Sequence, residues 1–130
     1  MIALSLISLL AINGTVAFAS NINRNFYNFD LKPNYGNYYS PTPAYKVNNT
    51  NYSYVKPTSM SGTSRATFWI ADTTMNLNQL TGAITLPVVS SFYTMYYYSY
   101  PGTSLDVRLA CENGEYSSST AYVSGVVDYD

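Results

Sequence analysis

LDVRLACENGEYSSSTAYVSGVVDYD, residues 105–130, is the stretch whose reading decides the fold. Leu105, Val107, Leu109 and Cys111 alternate with Asp106 and Arg108, the period of a strand with one face in a core. Glu112-Asn113-Gly114-Glu115 follows, and Asn-Gly between alternating segments is a hairpin signal. Residues 116–129 then return as a second strand, with Ala121, Val123 and Val127 set against Tyr122 and Val126.

Working outward, the same period recurs. Residues 65–72 place Ala66, Phe68 and Ile70 on one face and Thr67, Trp69 and Ala71 on the other. Residues 83–89 are β-branched but broken by Pro87, which marks an edge strand or a bulge. Residues 26–31 put Tyr27, Phe29 and Leu31 together against Phe26, Asn28 and Asp30. Residues 45–56 read as a strand with Tyr52 and Tyr54 on one face, ended by Pro57; residues 59–64 read as a turn around Gly62. Residues 32–43, rich in Pro, Asn and Gly, and residues 73–82 read as loops. No helical stripe is found beyond the N-terminus. Six to eight short strands with turns between them predict an all-β fold, a small antiparallel β-sandwich.

Residues 1–20, MIALSLISLLAINGTVAFAS, carry an apolar run from Ile2 to Ile12 leading to Ala17-Phe18-Ala19. That small-x-small pattern behind an apolar run is what a signal peptidase cuts after. The expected organisation is a signal peptide over residues 1–19 and one β-sandwich domain over residues 20–130, secreted, with an uncleaved anchor as the alternative. After cleavage no stable membrane insertion is expected.

Composition narrows the function. Charged residues are 10% of the chain and the net charge is −1, so no basic stripe is present to bind nucleic acid. Histidine is absent, which removes imidazole acid–base chemistry, Ser-His-Asp and Cys-His nucleophiles and ordinary zinc sites. Cys111 is the only cysteine, so no disulfide scaffold exists, and its place in the inward row predicts a buried, unreactive thiol. Glu112, Glu115, Asp128 and Asp130 are read as solvated turn and tail charges, since a hairpin puts the two pairs at opposite ends. No cofactor and no metal site is expected, and the domain is expected to be non-enzymatic.

The 15 tyrosines, with abundant Asn, Ser and Thr, make a polar but weakly charged surface suited to neutral partners such as glycans, or to self-association. The run Tyr93, Tyr96, Tyr97, Tyr98 and Tyr100 is the strongest functional signal; it reads either as a central strand or as an exposed aromatic face. The larger set, Phe92, Tyr96 and Tyr98, is assigned inward and Tyr93 and Tyr97 outward. Trp69, Tyr93 and Tyr97 are therefore the candidate binding residues, with a cell-wall glycan or a surface protein as partner.

Four segments recur together in one known pattern: Phe29-Asp30-Leu31-Lys32-Pro33-Asn34-Tyr35-Gly36-Asn37, Ala66-Thr67-Phe68-Trp69-Ile70, Val107-Arg108-Leu109-Ala110-Cys111-Glu112-Asn113 and Tyr122-Val123-Ser124-Gly125. They resemble an uncharacterised family of small secreted β-rich proteins from bacilli and related Gram-positive bacteria. The chain has Val127-Asp128 where that pattern ends in Trp-Asp. More distantly, the chain is similar in size, export and β-richness to the lactococcin-type β-sandwich bacteriocins, which implies a shared fold and no site. These resemblances imply a role at or outside the cell surface, bacteriocin-like or envelope-binding. A self-assembling structural or matrix protein is the alternative.

Overall fold

A computed structural model describes residues 23–130 apart from 47, 103 and 104. The expected signal peptide and its cleavage point lie outside the described residues. Among the described residues there are nine strands: β1 (Asn23–Leu31), β2 (Tyr38–Tyr39), β3 (Ala44–Lys46), β4 (Tyr52–Ser61), β5 (Ala66–Asp72), β6 (Ile84–Leu86), β7 (Tyr93–Tyr96), β8 (Leu105–Asn113) and β9 (Ala121–Asp128). They form two packed antiparallel sheets, a small all-β sandwich. One sheet runs β1-β9-β4-β7; the other runs β2-β8-β5-β6, with β3 also paired to β8.

Inward rows from both sheets meet in one core. Phe68 and Ile70 of β5 and Val107, Leu109 and Cys111 of β8 face Val55 of β4, Met95 of β7 and Val123 and Val127 of β9. All are essentially inaccessible to water. Cys111 sits here, and burial pushes its thiol above the ordinary range, with the nearby Asp30 carboxylate adding to the effect. Three polar pairings tie the core together. Tyr129 Oη accepts from Leu109 N at 3.1 Å, Ser53 Oγ lies 2.9 Å from Tyr97 Oη, and Thr81 Oγ1 accepts from Ile70 N at 2.9 Å.

Three local expectations are corrected. The Asn113-Gly114 turn is not a hairpin, because β8 and β9 belong to different sheets. A two-residue type I′ hairpin needs left-handed backbone at both positions. Gly62 and Gly102 are the described glycines with positive φ, and Gly114 is not among them. Instead Gly114 N donates to Arg65 O at 3.1 Å, and a Cβ on Gly114 would lie 2.9 Å from Arg65 Cγ. Asn113 is buried, its Oδ1 accepting from Thr63 Oγ1 at 2.7 Å and Glu115 N at 3.0 Å. The Asn-Gly pair thus closes the corner against the start of β5, and the chain crosses to the opposite sheet.

The second correction lies in β1, where Phe26 and Phe29 are both buried although simple alternation separates them. A register shift between them, with Asn28 at φ 47°, turns the extra residue out. Asn28 N then donates to Ser124 Oγ at 2.9 Å. Pro57, third, does not end its strand: β4 runs on to Ser61 past an irregularity between Pro57 and Ser59. Opposite Pro57, Gly125 of β9 is required because a Cβ there would collide with Lys56 O and Phe26 Cζ.

Candidate functional site

Edge placement decides which tyrosines are available. β7 is not central; it is the last strand of the four-stranded sheet, paired with β4, and residues 80–82 bridge its end, Gly82 N donating to Tyr96 O at 3.1 Å. Its register, Ser53↔Met95 and Tyr54↔Thr94, places Met95 on the core side, with Tyr97 following on the same side. Tyr97 is 5% exposed, and burial pushes its phenol up to about 12. Phe92, Tyr96 and Tyr98 are exposed, so the inward and outward assignments for this strand are reversed for all but Tyr93. Tyr93 is exposed at the sandwich edge. Trp69 is buried on the outer face of the other sheet, packed with Ala71, Ala110 and the edge of the Tyr39 ring, centroids 6.3 Å apart. Neither Trp69 nor Tyr97 is open to a ligand, and the structure does not bring the three candidates together.

What it does bring together is a different set. The outer face of the four-stranded sheet carries a groove of about 330 Å³ lined by Asn23, Tyr52, Tyr54, Phe92, Asp128 and Asp130. Strand register builds it: Asn23 of β1, Asp128 of β9 and Tyr54 of β4 are neighbours across three strands. Tyr52 lies two residues from Tyr54 on the same face, and Phe92 stands just before β7. The Tyr52 and Tyr54 ring centroids are 5.1 Å apart, and Phe92 meets Tyr54 edge-on at 6.2 Å. Lys56 Nζ lies over the Phe92 ring, 4.8 Å from its centroid.

The carboxylates close one side of the groove. Asp128 Oδ1 accepts from Asp130 N at 2.9 Å, and Asp130 Oδ1 accepts from Asn48 Nδ2 at 2.7 Å. Burial raises the Asp128 carboxyl above its usual range; the hydrogen bond from Asp130 and the charge of Lys46 only partly oppose this. These residues are not free tail charges.

Behind the carboxylates is a buried lysine. Lys46 is fully inaccessible, and its ammonium donates to Thr50 Oγ1 at 2.7 Å, Asp130 O at 2.8 Å, Tyr129 O at 3.2 Å and Tyr52 O at 3.3 Å. The Tyr97 ring lies on another side, 5.2 Å from Nζ. Burial lowers the Lys46 ammonium from its ordinary range, against the pull of Asp130 and Asp128. Its donors are spent on holding the chain around Asp130, so Lys46 supports the groove rather than lining it.

A second cleft, of about 340 Å³, runs between β1 and the segment before β3, over Phe26, Phe29, Val127 and Tyr129, with Arg24 at its side. It is the seam where the two sheets part and brings no cluster of polar side chains to a point. Among the described residues no group of His, Cys, Asp and Glu is placed to hold a metal ion, and no helix is long and apolar enough to cross a membrane.

The groove can bind but shows no set for nucleophilic attack. Three aromatic faces offer stacking surface, and two carboxylates and an amide offer directional hydrogen bonds. No family model, curated protein or solved structure matches the chain.

Proposed function

We propose that this is an exported, non-enzymatic β-domain that acts at or outside the cell surface by binding an envelope glycan in the Tyr52–Tyr54–Phe92–Asp128 groove. The observation that carries this reading is the pairing of aromatic rings with two carboxylates, that of Asp128 nearly buried and that of Asp130 partly exposed, on one open sheet face. Pyranose rings present flat C–H faces that stack on aromatic rings, and hydroxyls that donate to carboxylates. The apolar run ending in Ala17-Phe18-Ala19 supports export. The resemblance to small secreted proteins of Gram-positive bacteria supports the same location, and the more distant bacteriocin likeness makes a competitor's envelope one target of such binding.

Pull-down of the domain on purified cell walls and on glycan arrays tests this reading, with Tyr54→Ser as the control variant. Retention lost on Tyr54→Ser is the expected result. Equal retention of both proteins, or release of shortened glycans on incubation, overturns it. A second reading, self-assembly, is favoured by one feature: β7 is an edge strand whose Tyr93 and Tyr96 are exposed. Sedimentation over a concentration series separates the two.

A further inference from the structure

The charges of the groove narrow the class of sugar, an inference that rests on the glycan-binding reading above. Asp128 is only 5% exposed, yet among the described residues its carboxylate receives one hydrogen bond, from Asp130 N to Oδ1. Oδ2 has no donor from the described chain, and Asp128 lines the groove. The residue is nearly buried and its free oxygen opens only toward the groove, so a ligand there would meet a carboxylate with little donation from the chain.

The nearby cations do not supply what is missing. Lys46 sits in the interior with its hydrogen bonds directed to Thr50 and to main-chain oxygens, and none reaches Asp128. No Lys or Arg lines the groove and Lys56 stands over Phe92 at its border, while Asp128 and Asp130 line it, so a uronate, sialate or phosphorylated sugar would meet two like charges. Neutral and acetamido sugars would stack and donate hydroxyl or amide hydrogens, but they bring no charge to the Asp128 carboxylate, which the more distant Lys46 offsets only in part. Aromatic faces carry the negative side of the ring quadrupole and also favour a cation.

We propose that the groove takes a pyranoside bearing a free primary ammonium, an unacetylated hexosamine unit, with the ammonium donating to Asp128 Oδ2 and the sugar ring resting on Tyr54. The Lys56 ammonium over Phe92 shows that this face already accommodates an alkylammonium.

The test is an NMR titration of the folded domain at about pH 6 and again at about pH 7, because burial raises the Asp128 carboxyl above the ordinary range while the ligand's amine must stay protonated. The probes are a glucosamine tetramer, an N-acetylglucosamine tetramer, cellotetraose and spermidine. The glucosamine tetramer should bind at least about tenfold tighter than the other three, the size of one charge-assisted hydrogen bond. Its shifts should map to Tyr52, Tyr54 and Asp128, and Asp128→Asn should abolish the preference. If the acetylated or neutral tetramer binds as well, the ammonium proposal falls while the glycan reading stands. If no sugar binds, both fall. Spermidine binding equal to the glucosamine tetramer overturns the need for a sugar ring. The acetylated-against-free comparison on the unaltered protein decides the matter even where Asp128→Asn does not fold.

Discussion

Two aromatic assemblies sit on the outer faces of the two sheets, and one is shut while the other is open. On the β5–β8 side, Trp69 lies among Ala71, Ala110 and the edge of Tyr39, which belongs to the short strand laid on β8. On the β4–β9 side, Tyr52, Tyr54 and Phe92 ring a groove that no other strand covers. Both began as aromatic residues on the non-core face of a strand. What separates them is the strand alongside: β2 extends the five-stranded sheet beside β8 and sets the Tyr39 ring against Trp69, whereas on the other sheet Phe92 only meets Tyr54 edge-on and leaves the groove open. An aromatic side chain is thus available only where the topology leaves it uncovered, whatever its alternation.

The largest expected effect breaks or upholds this contrast directly. Trp69→Ala should cost about 3–5 kcal/mol, because it empties a filled site. Tyr54→Ser should cost about 1 kcal/mol or less, since its ring borders an open groove. Urea denaturation of the two variants is the measurement. Equal losses would mean that the groove is packed shut and that no open aromatic face exists.

Alkaline pH sharpens the contrast next, through the closed phenols. Burial pushes Tyr97 and Tyr129 up to about 12, from 10.0 in the unfolded chain. The folded state therefore holds these protons more tightly. Their contribution is complete below pH 10 and is lost as pH rises toward 12, by about 2–3 kcal/mol for each. Stability measured across that window should fall steeply in the unaltered protein and less in Tyr97→Phe, which has no phenol to ionise there. A flat profile would show that these hydroxyls meet water.

How much of this was legible in the sequence follows from the range of the interactions. The inward row Val107, Leu109, Cys111 and the strand around Phe68 could be read because alternation is local. The sandwich followed from the spacing of such strands. The Asn113-Gly114 corner could not be read correctly, because the bond from Gly114 to Arg65 depends on a partner far away in the chain. The face of β7 was reversed for a similar reason: size pointed to Phe92 as the core residue, but register with Ser53 and Val55 of β4 sets Met95 inward. The groove was visible only in halves. Tyr52 and Tyr54 showed as one face of a strand and Asp128 and Asp130 as tail charges, and only the β4–β9 pairing joins them. Lys46 carried no signal at all, since a lysine is almost always a solvated residue.

That lysine supplies the third expectation, about the underside of the open assembly. Lys46→Met keeps the length of the side chain and removes the ammonium that Thr50, Tyr52, Tyr129 and Asp130 share. Leaving acceptors buried without a donor costs about 1–3 kcal/mol. Amide exchange around Asp130 should rise in this variant even where the melting temperature moves little. Unchanged exchange would show that the groove's floor is held by other contacts.

The smallest stability change is expected at Asp128, and its sign carries the most meaning. Burial raises this carboxyl, so the folded state prefers the neutral acid. A raised value contributes stability below the unfolded range, near pH 4, and that contribution is lost as pH rises through the folded value. At neutral pH the ionised side chain is therefore a burden on the fold. Asp128→Asn keeps an oxygen for Asp130 N and discards the charge. Its melting temperature at neutral pH should equal or exceed that of the unaltered protein, with the advantage vanishing in acid. A variant that is stabler yet binds glycan less well would mark Asp128 as a residue kept for its ligand at the expense of the fold. A variant less stable at neutral pH would instead make Asp128 a structural partner of Lys46, and the open groove would lose its one poorly compensated charge.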